Sequence, residues 1–294
     1  MTALTGMTGL TGLTGLAAGT RAEVLRLRRW PALWTLAGVW LLLNITFGYV
    51  FPYLSYRNGG GFADEGTDPG QLLADVMPAS APVAAVQGMP MFGGAIMFAL
   101  GALAAGSGYG WGTWKTALTQ GPGRSAVVGG TLAALGGFVV AFAVLTFTID
   151  LGIAVSLASA EGQGIAWPAL GELARGLGAG VLISAMWAAA GLAVGTLTRN
   201  PALAVALGLV WTLAVENLLR AVSSLLDWLV PVTDVLPGTA AGSIAAALGA
   251  RPVAEGGSPG VVDNLAGGPA VALGLAYLAA FVVITRLLMR RDVP

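Results

Sequence analysis

The fold is decided by residues 176–215, which read GLGAGVLISAMWAAAGLAVGTLTRNPALAVALGLVWTLAV. Arg199 is the only charged residue in this stretch, and it lies in the short interruption Thr198-Arg199-Asn200. A helix needs about 20 mostly apolar residues to cross a bilayer. The apolar runs before and after the interruption, the second extended through Leu219, approach that length. The stretch therefore predicts two membrane-spanning helices joined by a tight turn.

The composition of the whole chain favours an integral membrane protein. Its 294 residues are 56% hydrophobic and 10% charged, with a mean hydropathy of +0.81, whereas a soluble domain has about 25% charged residues. The chain has no cysteine and no histidine, which excludes disulfides, thiolate metal sites and histidine bases. The net charge is +0, so nothing favours a nucleic-acid partner. We expect no bound metal.

Six long apolar runs follow one another along the chain. They predict an all-α polytopic membrane protein with six transmembrane helices, at about 33–53, 86–106, 126–151, 176–197, 201–219 and 266–284.

Basic residues concentrate in one set of loops and predict the orientation of the spans. That set contains Arg21, Arg26, Arg28, Arg29, Lys115, Arg124, Arg199, Arg286, Arg290 and Arg291. The opposite set contains only Arg57, Arg175, Arg220 and Arg251. Cytoplasmic loops of membrane proteins are enriched in lysine and arginine. We therefore expect both termini to be cytoplasmic.

Two segments outside the spans have distinct patterns. Residues 1–20 repeat Thr-Gly-Met/Leu, and glycine at every third position predicts a flexible low-complexity tail, followed by the membrane domain over 21–294. Residues 21–30 predict an interfacial helix, with Trp30 at the membrane surface and a basic face toward anionic lipid formed by Arg26, Arg28 and Arg29.

The loop between the fifth and sixth runs contains two further apolar pieces, 225–236 and 239–248. Each is too short to span a bilayer. They predict short re-entrant or interfacial helices on the outer side.

The most polar interruption between the second and third runs is residues 106–124, which contain Lys115, the only lysine of the chain. Thr113 to Gln120 lacks proline and glycine and can form about two helical turns, which Gly121-Pro122-Gly123 would end. Trp111 and Trp114 have two interpretations. They are interfacial anchors, or they belong to a helix that docks onto a soluble partner.

Four stretches resemble the membrane permeases of ABC-2-type exporters, in order and at the expected spacing. They are residues 26–31 (RLRRWP), 109–118 (YGWGTWKTAL), 191–199 (GLAVGTLTR) and 290–292 (RRD). The likeness covers nearly the whole chain from Arg21. One departure concerns residue 108, where the family often has an acid before the tyrosine and this chain has glycine.

The resemblance implies that the loop between spans two and three is a coupling helix that docks onto a separate ATPase subunit. The residues it implicates are Tyr109, Trp111, Gly112, Thr113, Trp114, Lys115, Thr116 and Leu118. It further implies that the 21–30 helix also touches that subunit, and that the short helices after span five cap the outer side.

The expected function is ATP-driven export of a hydrophobic or amphipathic compound, such as a drug, antibiotic, peptide or lipid-like molecule, across a bacterial cytoplasmic membrane. Two permease copies, expected as a homodimer, or one copy and a related permease, would lie above two P-loop ATPase subunits. This chain has no Gly-x-x-x-x-Gly-Lys-Ser/Thr motif. We therefore expect it to be no enzyme and to bind no cofactor itself, with ATP and Mg²⁺ in the partner.

Two acids lie in or beside the apolar runs. Glu216 is about 22 Å past Pro201 at the helical rise, where an ionisable group is a functional candidate. Arg220 lies four residues later and can pair with it. Asp150 is about 36 Å past Ala126, which predicts a position at the outer interface. An ion-coupled secondary transporter using Glu216 and a non-transporting membrane scaffold or sensor remain alternatives.

Overall fold

The computed structural model describes residues 3–59, 68–110 and 124–291. Over these ranges the chain is helical and contains no strand. Six helices are long and apolar enough to cross a membrane, and we call them spans 1 to 6: Pro31–Asn58, Met89–Tyr109, Ala126–Ala160, Leu170–Thr198, Pro201–Ser223 and Gly267–Met289. The all-α, six-span prediction is confirmed, and the six apolar helices indicate a membrane protein.

The two ends of the helical bundle differ in charge. We call one the basic end, where spans 2, 4 and 6 finish and where Tyr109 packs on Val127 and Met289. Its arginines are Arg26, Arg28, Arg29, Arg199 and Arg286. We call the other the acidic end, because its loops, its short helices and the first turn of span 4 contain Asp68, Asp75, Glu161, Glu172, Asp227, Asp234, Glu255 and Asp263.

The N-terminal helix runs from Ala3 to Arg28, so it begins well before the predicted start at Arg21. The helix thus covers most of the segment 1–20 that the sequence predicts as a flexible tail. Around Gly19 it packs against span 3. A methyl group added at Gly130 would lie 2.7 Å from the carbonyl carbon of Gly19. This backbone contact is possible only between glycines, and tertiary packing of this kind overrides low helix propensity.

The centre of the bundle is the parallel pair of spans 2 and 4, which both finish at the basic end. In span 2, 83% of the most apolar window is buried, against 11% in span 6, so span 2 lies inside the protein and span 6 is largely exposed. The two backbones touch through small residues. A methyl group at Gly101 would collide with the carbonyl of Ala188, and one at Gly191 with the carbonyl of Phe98. Such small-residue contacts bring membrane helices into van der Waals contact.

Three spans contain one turn of π-helix within the α-helix. These turns are Thr46–Val50 in span 1, Met89–Gly93 in span 2 and Trp211–Val215 in span 5. A π turn shifts the hydrogen-bond pattern from i→i+4 to i→i+5 and is frequent at functional sites. The rest of span 1 is helical over Pro31–Ile45 and Phe51–Asn58, and span 5 over Pro201–Val210 and Glu216–Ser223.

Short helices cover the acidic end. They are Pro69–Asp75, Ala81–Gln87, Val230–Asp234 and Pro237–Ala246, with 3-10 turns at Pro78–Ser80, Asp227–Leu229 and Val253–Glu255. The segments Asp227–Asp234 and Pro237–Ala246 meet at a bend of 77°, and counting this bent pair as one span would give seven. The second of them is buried over nearly its whole length. Both lie where the two short apolar pieces were predicted.

Candidate functional site

Most of the predicted docking residues lie outside the described residues, namely Trp111, Gly112, Thr113, Trp114, Lys115, Thr116 and Leu118. Tyr109 is the docking residue that the structure places. It is half-buried and packs with Val127 of span 3 and Met289 of span 6. The chain therefore leaves span 2 at a point where three spans are in contact.

The N-terminal helix binds the same end of span 2 through Arg26. Its guanidinium donates to the carbonyl oxygen of Ala104 at 3.0 Å and to Oγ of Ser107 at 3.2 Å, and it pairs with Glu23 at 2.8 Å. Arg26 is therefore directed at the last turns of span 2, where its guanidinium finds its acceptors, and its predicted contact with lipid headgroups stays a prediction.

The other predicted residues of this helix remain at its surface. Arg28 and Arg29 are exposed, as an interfacial helix requires, and Trp30 is half-buried against the core. Leu27, by contrast, is fully buried. The helix thus presents an arginine face outward and packs its apolar face on the bundle.

Span 2 is also in close contact with the start of span 5. A methyl group at Gly106 would lie 2.6 Å from Cα of Pro201. Together with Arg26 and Tyr109, this contact connects the last turns of span 2 to the N-terminal helix and to spans 3, 5 and 6. A displacement applied to the chain just beyond Tyr109 would therefore be transmitted to span 2 and, through the glycine contacts, to span 4.

Glu216 is 1% exposed in span 5 and has its partners close by. Its Oε2 accepts from Nη2 of Arg220 at 3.3 Å, and its Oε1 accepts from Nε1 of Trp211 at 2.6 Å. The predicted pair with Arg220 is confirmed. The backbone of Gly238, in the first turn of the helix Pro237–Ala246, is a further hydrogen-bond partner.

The position of Gly238 indicates that the carboxylate of Glu216 has a structural role. A methyl group there would collide with Oε2 of Glu216, so the glycine allows the carboxylate to approach the N-terminus of a buried helix. Unpaired amides and the positive end of the helix dipole favour an anion at that place. Glu216 therefore connects span 5 to the bent helix pair.

A cavity of about 280 Å³ opens at the acidic end, between span 1, the helix Ala81–Gln87 and the loop 249–259. Its apolar wall is aromatic. Phe47 and Phe92 stack with ring centroids 6.2 Å apart, and Phe51 meets Phe47 edge-on at 5.1 Å. Asp75, Ser80, Gln87, Arg251 and Ser258 supply the polar part of the lining. This combination suits a small amphipathic molecule, or the end of a larger one.

An ion pair between Asp75 and Arg251 stands at the edge of this cavity. Their side chains are 34% and 30% exposed, and exposed pairs of this kind contribute little stability. The ion pair instead positions two segments, because it connects the helix Pro69–Asp75 to the loop that closes one side of the cavity.

Spans 1 and 3 share a buried polar contact that the sequence analysis did not predict. Nδ2 of Asn44 donates to Oδ1 of Asp150 at 2.7 Å, and both side chains are buried. One helical turn toward the basic end, Nε1 of Trp40 donates to Oγ1 of Thr146 at 3.1 Å. Asp150 is thus 0% exposed, and its predicted place at the outer interface is wrong, because span 3 continues to Ala160.

The same two spans meet again at the acidic end. The hydroxyl of Tyr53 donates to Oε1 of Glu161 at 2.6 Å, and Nη1 of Arg57 lies 3.2 Å from the same oxygen. These interactions, that of Tyr53 first, lower the pKa of Glu161 below its ordinary value of 4.5. Spans 1 and 3 therefore run parallel and in register over several turns.

Sequence reasoning missed the Asn44–Asp150 contact although a signal was present. Each residue is a strongly polar interruption of an apolar run, and two such residues in neighbouring spans are expected to pair.

Within the described ranges, no group of three or more His, Cys, Asp or Glu side chains could hold a metal ion. No protein-family model matches the chain, and no curated protein matches it.

Proposed function

We propose that this chain is the membrane-spanning permease subunit of an ATP-driven exporter of the ABC-2 type. The observation that carries the proposal is the crowded basic end. Arg26, Gly106 and Tyr109 connect the end of span 2 to its neighbours, directly before the stretch 109–118 that resembles a coupling helix. A partner that pulls on that stretch would move the core of the bundle.

The proposed mechanism makes use of these contacts. ATP binding closes a pair of P-loop ATPase subunits beneath the basic end, which faces the cytoplasm together with both termini. Their movement shifts the 111–123 segment and span 2, and span 4 follows as part of the same rigid pair. A second copy of the chain completes the pathway, and the bent helix pair is re-entrant at the outer side of a bacterial cytoplasmic membrane.

The aromatic cavity at the acidic end supports a hydrophobic or amphipathic cargo. Stacked rings offer an adaptable apolar surface, and Gln87 and Arg251 offer hydrogen bonds at its edge. In this proposal the cavity lies on the outer part of the export route.

The test is co-purification from the native membrane. The tagged chain is compared with the double variant Trp111→Ala/Trp114→Ala, and P-loop ATPases in each sample are quantified by mass spectrometry and by ATP hydrolysis. Trp167→Ala/Trp228→Ala is the matched control, because these tryptophans are 64% and 70% exposed at the acidic end.

We expect the wild type and the control to retain the ATPase and the docking variant to lose it, while all three chains insert equally. Retention by the docking variant would exclude this docking segment. The absence of an ATPase from the wild type would overturn the proposed function and favour a secondary transporter or a scaffold.

A further inference from the structure

Two carboxyl groups are buried within spans, and their surroundings differ in one decisive respect. Glu216 has a guanidinium, an indole N–H and a backbone partner. Asp150 has the neutral amide of Asn44 as its hydrogen-bond partner, and its Oδ2 makes no hydrogen bond. Burying an ionised carboxylate without a cation is far more costly than burying the neutral acid.

Asp150 also lies deep in the bundle. Its partner Asn44 is 13 residues after Pro31 and 14 before Asn58, so it stands about 20 Å from either end of span 1 at the helical rise of 1.5 Å per residue. An ionisable side chain at such a depth is a functional candidate whose partner must be identified.

The groups around Asp150 provide no positive charge. Span 1 contributes Asn44 and the phenol of Tyr49, which is close enough to interact with the carboxyl charge and whose own hydroxyl makes no hydrogen bond. Ala84, from the helix Ala81–Gln87, packs with Tyr49 in the same cluster. Span 4 contributes Gly176, which lies against Phe147, a residue one helical turn closer to the basic end than Asp150. Within the described part of the chain, no cation is paired with Asp150.

The partner of Asp150 borders a space that leads to the acidic end. This space of about 20 Å³ is lined by Asn44, Trp40 and Gln87, which is enough for about one water molecule. It shares part of its lining with the aromatic cavity, namely Phe47, Gly48, Gln87, Gly88, Phe92 and Ser258. Water from the acidic end can therefore come as close to Asp150 as the side chain of Asn44.

We propose that Asp150 is a proton-binding site inside the membrane, loaded and emptied from the acidic end. The acid takes its proton from a hydronium ion, leaving water, and returns it by the reverse step. In the protonated form Oδ2 becomes a donor and Oδ1 continues to accept from Asn44. The site is independent of the proposed export function, since it involves neither the 111–123 segment nor an ATPase.

The test is covalent labelling with dicyclohexylcarbodiimide, which adds to a protonated carboxylic acid and rearranges to a stable N-acylurea. The purified full-length chain is labelled in lipid nanodiscs over a series of pH values, and the modification of each carboxyl is quantified by peptide mass spectrometry. Glu216 is the internal control, being equally buried and paired with a cation. Arg220→Met removes that cation and tests whether the reagent reaches Glu216.

We expect Asp150 to be modified in the wild type and Glu216 to be modified only in Arg220→Met. Above the midpoint, labelling of Asp150 should fall about tenfold per pH unit. The infrared C=O band of a carboxylic acid, lost in Asp150→Asn, provides a second measurement that needs no reagent access.

An unmodified Asp150 with no infrared band that depends on it would show an ionised group and overturn the proposal. A band without modification would still support the bound proton, because the space of about 20 Å³ beside Asn44 admits water and not the reagent. If sodium chloride lowers the labelling of Asp150 relative to choline chloride at the same pH, the site binds a metal cation. That result would overturn a site for protons alone.

Discussion

The contact between spans 2 and 4 gives a prediction whose sign distinguishes packing from helix propensity. Replacing Gly191 by alanine adds a methyl group that collides with the carbonyl of Phe98 and lies 2.9 Å from the amide of Ala102. Ordinary van der Waals contact begins near 3.4 Å. Since both atoms belong to the backbone, no rotamer change can relieve the collision, and the two helices must separate.

The magnitude follows from two opposing effects. Overpacking a core costs about 1–3 kcal/mol, and separating two helices weakens dispersion contacts along their length. Alanine in place of glycine within a helix contributes about 0.5–1 kcal/mol in the other direction. We expect Gly191→Ala to destabilise the protein by about 2 kcal/mol, which is a drop of roughly 5 °C in apparent melting temperature for a chain of this size.

The assay is thermal unfolding in detergent, followed by the fraction that remains monodisperse. Gly137→Ala is the matched control, because Gly137 is exposed on span 3 and an added methyl group would meet no atom within 4 Å. The control should melt at or slightly above the wild-type temperature. If Gly191→Ala melts with the control, the tight contact between spans 2 and 4 is refuted.

Two further predictions concern charged groups. Glu216→Gln keeps an acceptor for Trp211 but leaves Arg220 buried without its anion. We therefore expect the free energy of unfolding to fall by about 3 kcal/mol in the same melting assay, and Glu216→Gln/Arg220→Met should recover most of this loss. Equal melting temperatures of the single and double variants would contradict the pairing. Glu161 has a pKa below its ordinary value of 4.5, so its contribution is present above that pH and is lost as the pH falls through the lowered value. The melting-temperature difference between wild type and Glu161→Gln should therefore be constant from neutral pH to about pH 5 and shrink under more acidic conditions; a difference that grows on acidification would exclude the Tyr53–Glu161–Arg57 contact.

The number and place of the spans could be predicted because they depend only on where long runs of apolar residues lie in the sequence. A run of about 20 apolar residues has few alternatives to a membrane helix. The pair Glu216–Arg220 could be predicted for a similar reason, since an i,i+4 spacing is a local property of a helix.

Contacts between segments far apart in the sequence could not be predicted in this way, because no local spacing reveals them. Gly19 and Gly130 each have low helix propensity, and their close approach joins segments that are far apart in the sequence. Arg26 matched an interfacial arginine in the sequence, and its actual acceptors are 78 and 81 residues away. Asp150 was misplaced because the length of span 3 beyond the last strongly apolar residue was underestimated.

The three π turns have a consequence for how the spans tolerate change. A π turn accommodates one residue more than an α turn of the same rise, so each marks a place where the chain can gain or lose a single residue without breaking the helix. Deleting one residue within Thr46–Val50 would restore a continuous α-helix and leave the residues after it on the same face, because the π turn absorbs the additional residue. Tyr53 and Arg57 would then still meet Glu161. A deletion in the regular α-helix would instead rotate everything after it by about 100°, so the π turns are the places where a span tolerates the loss of a residue without changing which side chains face its neighbours.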